Sequence, residues 1–556
     1  MAEPGAEARV TSAGTDRLTL WEEARSLLAY GNHHRVLLRS LYRGEDGVFP
    51  RFAVRAQGCE IVDESGRVFI DWANAWGPVL LGYRHPAVEA AIREQLEAGP
   101  TMSLMHPVEL DVARALTDMV PCAEMVAFGK NGSDVVTAAV RLARAATGRE
   151  VIVQCGFHGF HDWYTCLYRN TVGTPSVLRP LIETFPYDNL EELASVLERL
   201  QGRVAAVVME PVNMLIPQPG YLEGVRELAD RHGALLVFDE MVTAFRVANG
   251  GAQELFGVTP DIACMGKAMA NGMPLAAVVG KARFMRHLPH VAYGMTFRGE
   301  TLSLAAAKAT LSVLRDEPVT EHLAHMGSQV REAFDGMCEE RGIEGRLSGP
   351  DARLTVVLDE QAGVRADRLT TLFIQECAVH GVLTTGTLLP SYALDEEALD
   401  RTVAAVGQAL DAVAGLIAGG PEGRPPGRML ATRGFIDSMT ERDGSLDVAG
   451  WLLVDDEPPD EVEVAGLDGD VVQADAVERP GVAETFPHVD GAERSGWSAV
   501  LPDSAFLRDG IWEFELRALR GGDVVFTCGV GRRSLPAGTE PALTAPYAVA
   551  DGLVYV

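Results

Sequence analysis

The sequence predicts an α/β protein with a mostly parallel β-sheet, followed by a smaller α+β domain and an all-β domain. Between residues 85 and 310, short apolar runs alternate with segments whose apolar residues recur at helical spacing. Such alternation is typical of a parallel sheet covered by helices on both faces. After residue 430 the pattern changes to short alternating runs separated by turn residues, which is typical of a β-sandwich.

Residues 1–84 are expected to form an N-terminal arm and part of the smaller domain. A helical stretch covers about 18–28, and two short strands are predicted at 55–62 and 67–72. The polar turn residues 63–66 would join these two strands.

Residues 85–310 are expected to form the large domain around the parallel sheet. The acidic residue Asp134 at the predicted start of the first helix suits the positive end of a helix dipole. The predicted strands are 125–128, 150–154, 204–209, 235–238, 262–265 and 276–279, and the predicted helices are 134–147, 190–200 and 221–232.

The remaining chain is expected to contain two further parts. Residues 311–418 have mixed character and end in a long helix, 396–418, so they read as the C-terminal part of the small α+β domain. The Gly- and Pro-rich stretch 419–427 is typical of a linker. Residues 430–556 are predicted to form a β-sandwich-like accessory domain, in which no catalytic constellation is visible.

Composition excludes several classes of function. The 556 residues carry a net charge of −30, which opposes binding to nucleic acid or to an anionic membrane surface. The sequence contains no uninterrupted run of about 18 apolar residues, so we expect no membrane span. Residues 1–15 lack the apolar core of a signal peptide. The eight cysteines lack metal-ligand spacing, so we expect no metal site and a cytoplasmic protein with reduced thiols.

The first segment with chemical potential is 128–134, between a predicted strand and a predicted helix. Backbone amides at a helix start, a glycine that permits close approach and the Ser133 hydroxyl could together hold a phosphate. An ordinary strand–helix turn explains the same residues equally well.

The second segment is 235–240, in which Asp239 ends an apolar strand. A carboxylate buried there needs a cationic partner, and a protonated pyridine nitrogen would serve. Taken by itself, the segment is better explained by a helix cap or a structural ion pair.

The third segment places Lys267 after an apolar strand and before small residues. The chain contains only four lysines, at positions 130, 267, 281 and 308, so a chance surface lysine is less expected here than usual. Desolvation lowers the pKa of a lysine and makes its amine competent for Schiff-base chemistry.

These three segments, in this order, resemble the fold-type I enzymes that use pyridoxal 5′-phosphate (PLP). The resemblance is strongest to the class-III aminotransferases, and within them to the glutamate-1-semialdehyde aminomutase group, and it covers about residues 58–408. The residues that carry it include Asp71-Trp72, Trp76-Gly77-Pro78, His85-Pro86, Arg141-Leu142-Ala143-Arg144, Phe157-His158-Gly159, Glu210-Pro211-Val212, Asp239-Glu240, Gly266-Lys267 and Thr296-Phe297.

The resemblance implies roles for the central residues. Lys267 would bind PLP covalently and relay the substrate proton, and Asp239 would pair with the pyridine nitrogen. Gly132 and Ser133 would hold the phosphate, which Thr296 of the neighbouring subunit would also reach. A homodimer with shared active sites is therefore expected.

The resemblance also implies roles around the cofactor ring. Phe157 would stack on the ring, with His158 beside it, and Met241 would lie beneath it. Glu210 would lie near Asp239 on the side of the cofactor hydroxyl, and Asn213 would touch the phenolic oxygen.

Three departures separate the chain from the aminomutases proper. Residues 44–51 lack the substrate-binding arginine motif, 276–280 replace a gating stretch, and 298–303 differ after Thr296. The last variant resembles a branch associated with surface polysaccharides and amino sugars.

The leading hypothesis is an aminotransferase that moves an amino group from a small-molecule donor to an aldehyde or ketone, such as a sugar or natural-product intermediate. An intramolecular aminomutase, which needs no separate donor, is one alternative. A non-catalytic binding protein that works through its β domain is another.

Overall fold

The computed structural model of the protein describes most of the chain. The described residues are 52–167, 173–420, 432–442, 444–454, 458–466, 470–480, 491–508, 511–533, 547–550 and 553–555, with the isolated positions 20, 24, 27, 28, 50 and 482. Most of the predicted helix at 18–28, the predicted linker residues 421–427 and residues 44–49 and 51 lie outside the described residues.

The helices and strands are numbered in chain order. The described strands are β1 (Ala53–Gln57), β2 (Glu60–Asp63), β3 (Val68–Asp71), β4 (Met125–Gly129), β5 (Val151–Cys155), β6 (Ile182–Thr184), β7 (Val204–Met209), β8 (Leu235–Asp239), β9 (Ile262–Met265), β10 (Ala276–Gly280), β11 (Gly345–Ser348), β12 (Leu354–Leu358), β13 (Val382–Leu383), β14 (Thr387–Leu388), β15 (Thr432–Arg442), β16 (Ser445–Val454), β17 (Glu461–Ala465), β18 (Val471–Gln473), β19 (Asp475–Val477), β20 (Gly496–Pro502), β21 (Leu507–Arg508), β22 (Ile511–Arg520), β23 (Asp523–Arg533), β24 (Tyr547–Ala550) and β25 (Leu553–Tyr555). The described α-helices are α1 (Pro86–Ala98), α2 (Pro107–Met119), α3 (Gly132–Thr147), α4 (Asp162–Thr165), α5 (Leu190–Arg199), α6 (Tyr221–His232), α7 (Ala252–Leu255), α8 (Ala282–Met285), α9 (Thr301–Asp316), α10 (Val319–Arg341), α11 (Ala366–Val379), α12 (Glu396–Gly419) and α13 (Asp503–Phe506).

A seven-stranded sheet forms the centre of the large domain, in the order β4-β10-β9-β8-β7-β5-β6. Strands β6, β5, β7, β8 and β9 run parallel, and only β10 runs antiparallel to its neighbours. The mostly parallel sheet predicted from the sequence is thus confirmed. Each predicted strand agrees with the observed one to within one residue at either end, and only the three-residue edge strand β6 escaped prediction.

The direction of these strands determines where the functional site lies. Because β4 and β9 are both antiparallel to β10, β4 runs in the same direction as β9. The strands β4, β5, β7, β8 and β9 therefore end at one edge of the sheet. Ligand groups of parallel sheets gather at this carboxyl edge, so segments far apart in the sequence meet there.

The smaller domain combines the N-terminal strands with later parts of the chain. Strand β13 pairs in parallel with β3 and completes the four-stranded sheet β1-β2-β3-β13. The single strand predicted at 55–62 is wrong, because the chain turns at Gly58, whose φ is +58°, and divides it into β1 and β2. The division of the chain at residues 84, 310 and 418 remains a prediction.

Helix α12 is the one described helix that is long and apolar enough to cross a membrane by length and composition. Its apolar side chains, including Leu410 and Val413, pack with Phe334 and Phe373 in the small-domain core. A core helix passes the same test, and this packing is that of a core helix.

The described C-terminal residues form one all-β unit, as the sequence predicts. Its strands follow a continuous hydrogen-bonded path, β18-β17-β22-β23-β25-β24-β15-β16-β20-β19, with β21 on β22. One buried cluster joins Leu446 and Trp497, near one end of the path, with Val464 and Phe514, near the other. The sheet therefore folds over itself, and its two halves enclose an apolar core as in a sandwich.

A chain that ends at residue 420 should fold and bind the PLP that the sequence resemblance implies. No buried apolar cluster of described residues combines side chains from before residue 421 with side chains from after residue 431, so the truncation exposes no described core. We expect the molar mass per chain, the oligomeric state and the bound PLP per chain to match those of the full chain, measured by light scattering and absorbance. An insoluble or cofactor-free product would contradict this prediction.

Candidate active site

A cavity of about 340 Å³ opens at the carboxyl edge of the large sheet. This volume lies at the lower end of the range of ligand pockets, about 300–1,000 Å³. The cavity brings together eight of the ten residues that the sequence analysis selected. These residues are Gly132, Ser133, Phe157, His158, Glu210, Asp239, Met241 and Lys267.

One end of the cavity is formed by the start of helix α3. The helix begins at Gly132, two residues before the predicted start, and Asp134 accepts a 2.9 Å hydrogen bond from the backbone N–H of Asn131. The N–H groups of Gly132 and Ser133 lie in the first turn, where a helix supplies no acceptors. Together with the helix dipole, they favour an anion such as a phosphate.

Close packing at this end explains its glycines. A Cβ atom on Gly132 would lie 2.9 Å from Met241 Sδ, and a Cβ on Gly159, whose φ is +98°, would collide with the Ser133 side chain. Ser133 Oγ accepts a 3.2 Å hydrogen bond from Phe160 N and retains its own O–H for a ligand. The backbone N–H groups, the Ser133 hydroxyl and the space left by the missing side chains of the glycines fit the phosphate of PLP.

Asp239 lies at the end of β8 and is almost completely buried. His158 Nδ1 is 2.8 Å from its Oδ2, and Met241 N donates to its Oδ1 at 3.2 Å. Among the described residues no lysine or arginine forms a salt bridge with it, and its ion-pair contact is with His158, which carries a charge only when protonated. A carboxylate held in this way fits a protonated ring nitrogen of PLP.

Glu210 follows β7 and faces both Asp239 and an arginine from the small domain. Its Oε2 accepts a 3.1 Å hydrogen bond from Phe157 N, and Arg353 Nη2 lies 3.9 Å from its Oε1. Burial, and secondly the charge of Asp239, raise the pKa of Glu210. The sequence analysis missed Arg353, because an isolated arginine in a polar turn carries no local signal.

Phe157 presents an aromatic ring to the cavity. The side chain is 63% exposed and contacts Tyr164 edge-on, with ring centroids 5.7 Å apart. A face of the ring is therefore free of this contact, as stacking on a cofactor would require.

Lys267 follows β9 and opens a short 3₁₀ turn, Lys267–Ala270. Its backbone φ is +44°, a conformation that side-chain-bearing residues rarely adopt and that is often retained at functional sites. Burial is the main cause that lowers the pKa of its amine. The negative charge of Asp239 opposes this lowering, and the positive charge of Arg353 reinforces it. A larger fraction of unprotonated, nucleophilic amine follows at neutral pH.

Two of the selected residues do not line this cavity. Asn213 closes its own turn, since its Oδ1 accepts a 2.9 Å hydrogen bond from Leu215 N. Thr296 is exposed on the surface. Conversely, the cavity includes Lys130, to which the sequence analysis assigned no role.

Comparison with known proteins identifies the family. The model of the family "Aminotransferase class-III" matches residues 41–410. The chain belongs to the class-III aminotransferases. Its cofactor is accordingly PLP, and it is a PLP-dependent enzyme of amino-group transfer, which argues against a non-catalytic binding protein.

Relatives in this family carry two kinds of name. A glutamate-1-semialdehyde 2,1-aminomutase of Syntrophobacter fumaroxidans is 38% identical over 319 residues, which are 54% of this chain and 72% of the relative. A 3-aminobutyryl-CoA aminotransferase of Cloacimonas acidaminovorans is 35% identical over 340 residues, 60% of this chain and 81% of the relative.

A solved structure shows the same fold-type I architecture. The FumI protein of Sphingopyxis sp. MTA144, in a PLP-bound form, is 29% identical with a TM-score of 0.69, and the match covers 74% of this chain and 99% of FumI. The class-III PLP-dependent fold predicted from the sequence is confirmed.

We expect Lys267 to be the amine that reacts with PLP, with a rate that rises with pH and levels off below pH 10.4. Only the unprotonated amine reacts, and its fraction rises through a pKa that burial lowers from an ordinary value of about 10.4. The rate of reconstitution of the apoenzyme is compared at each pH with the rate at which a free lysine derivative reacts with PLP. Because the amine of Lys267 loses its proton at the lower pH, the ratio of the two rates should be constant at low pH and fall where the enzyme rate levels off.

Borohydride reduction and peptide mapping should then locate the cofactor on Lys267. A label on Lys130, Lys281 or Lys308 would contradict the assignment.

Proposed function

We propose that the protein is an aminotransferase that moves an amino group from a small-molecule donor to an aldehyde or ketone, such as a sugar or natural-product intermediate. The observation that supports this most is the single cavity that contains the amine of Lys267, the buried carboxylate of Asp239 and the anion-binding start of α3. Each of the three features suits a different part of PLP.

Different residues of the cavity bind different parts of PLP in this proposal. Gly132 and Ser133 bind the phosphate, Asp239 pairs with the ring nitrogen, and Phe157 stacks on the ring. His158 holds Asp239 in place through the 2.8 Å contact with its carboxylate. Bound PLP supplies an electron sink for the substrate carbon that loses a proton.

Lys267 has a second task in this proposal, which would be to relay a proton from the substrate carbon to C4′ of the bound cofactor. A general base works best when its pKa lies near the working pH. Burial shifts the pKa of Lys267 in this direction. Glu210 accepts a hydrogen bond from the backbone N–H of Phe157 and so orients the loop that carries the stacking ring.

A homodimer with shared active sites is part of the proposal. Thr296, expected to reach a phosphate, is exposed outside the cavity of its own chain, as a residue that serves a partner would be. The neighbouring Phe297 is 57% exposed, and Leu104 and Met105 are 83% and 76% exposed. Such apolar side chains suit an interface.

We also propose a cytoplasmic location. The seven cysteines between residues 59 and 377 are free and buried, which suits a reducing compartment.

An intramolecular aminomutase is the second candidate, because the relative of that name is 38% identical. The segment 276–280, which replaces the gating stretch of aminomutases proper in the sequence, forms β10, a buried strand paired on both sides. The sequence departures from the aminomutases proper at 44–51, 276–280 and 298–303 are the reason for placing the aminotransferase first.

The need for an amino donor distinguishes the two candidates. An aminotransferase mixed with a suitable amino acid or amine, and no acceptor, should convert about one equivalent of donor per active site and then stop with its cofactor aminated. We would screen a panel of donors by absorbance and quantify the carbonyl product. Isomerisation of glutamate-1-semialdehyde without any donor, and no reaction with the panel, would support the aminomutase instead.

Replacement of Asp239 by Asn should leave PLP bound but slow the reaction with the donor at least about 100-fold, or about 2.7 kcal/mol. Without the negative charge the ring nitrogen loses its proton and the electron sink is weakened. Single-turnover absorbance measures the rate.

Asp261→Asn is the matched control, because Asp261 is a buried carboxylate at the start of β9 whose partners, Arg226 and Lys281, are structural. Equal single-turnover rates in Asp239→Asn and wild type would contradict the role of Asp239.

A further inference from the structure

Lys130 is the second lysine that lines the cavity, beside the anion-binding start of α3. Its Nζ lies 2.9 Å from Glu300 Oε2, and both side chains are largely buried, with exposures of 14% and 15%. The roles assigned above use neither residue. A largely buried ion pair needs a reason, because removing two charges from water costs free energy that their attraction only partly returns.

Glu300 is held in place independently of Lys130. Its carboxylate caps helix α9 and accepts hydrogen bonds from the N–H groups of Leu302 and Ser303 and from the hydroxyl of Ser303. Burial by itself would raise the pKa of Glu300, but the hydrogen bonds from Ser303 and Leu302 and the charge of Lys130 outweigh it and lower the pKa overall. The carboxylate is therefore a rigid, ionised anchor that already has partners.

Lys130 has donor capacity beyond this anchor. A lysine ammonium carries three N–H bonds, and Glu300 is its one hydrogen-bond partner among the described residues. The remaining donors belong to a side chain that lines the same cavity as Asn131, Gly132 and Ser133. The contact with Glu300 thus holds the ammonium group of Lys130 in a fixed position at this cavity.

We propose that Lys130 binds the phosphate of PLP and that Glu300 is its positioning residue. The proposal rests on the proposed placement of the phosphate at Gly132 and Ser133. Backbone amides and the Ser133 hydroxyl supply dipoles there, whereas Lys130 supplies a full charge. It is also the one lysine of this end, since Lys267 is assigned to the reacting end of PLP.

The test compares PLP with pyridoxal, which lacks the phosphate. Lys130→Met should weaken the binding of PLP at least tenfold, which corresponds to about 1.4 kcal/mol, and should change the binding of pyridoxal less than twofold. Titration of each apoenzyme, followed by absorbance, gives both dissociation constants.

Three further variants separate charge from structure. Lys130→Gln can still donate to Glu300 but has no charge, so it should show the same loss specific to PLP. Lys130→Arg keeps the charge and should stay within about threefold of wild type. Lys308→Met removes another lysine–carboxylate pair, with Asp111 at 2.7 Å and exposed on the surface, and should bind both compounds as wild type does.

Two results would overturn the proposal. One is an unchanged dissociation constant for PLP in Lys130→Met and Lys130→Gln, and the other is an equal loss for PLP and pyridoxal, which would show a purely structural pair. Failure of the proposed function would look different, because borohydride would then label a lysine other than Lys267 in the wild type.

Discussion

The proposed chemistry of the cavity depends on Asp239, a buried carboxylate that contacts His158 and to which no described lysine or arginine forms a salt bridge. A carboxylate in an apolar environment is stable only when hydrogen bonds and a cation compensate it. His158 and the amide of Met241 supply the contacts that hold it in position. In the function proposed above, the protonated ring nitrogen of the cofactor is the cationic partner of this carboxylate.

The same burial adjusts the neighbouring groups in opposite directions. It lowers the pKa of Lys267 and raises the pKa of Glu210, and the charge of Asp239 contributes to the second shift. Both changes favour neutral side chains beside the reacting end of the cavity. At the other end Lys130 pairs with an ionised Glu300, so charge is concentrated where a phosphate is expected.

Steric constraints complement this electrostatic arrangement. The close approach of Gly132 to Met241, and of Gly159 to Ser133, leaves no room for a side chain at either glycine. Packing of this kind keeps the first turn of α3 in contact with the loop after β5 and the turn after β8. Such close packing restricts movement at the start of α3, and a site that is ordered before binding has a smaller ordering cost when a ligand binds.

The sequence by itself determined the strands of the large sheet and the chemistry-bearing residues near their ends. Buried parallel strands appear as continuous apolar runs, so the prediction of Val204–Met209 matched the structure at both ends. The motifs shared with the family predicted eight of the residues that line the cavity. Prediction failed where the local pattern was weak. Strand β6 has only three residues, and the turn at Gly58 lies between two short strands that were predicted as one.

Only the tertiary structure decided which side chains meet. His158 and Asp239 are 81 residues apart in the sequence, and Lys130 and Glu300 are 170 residues apart, yet each pair is in contact. It also showed that Asn213 caps its own turn and that Arg353 lies beside Glu210. Strand formation depends on local patterns that can be read along the chain, whereas burial and charge pairing depend on contacts between distant segments, which form only when the sheet brings its strand ends to one edge.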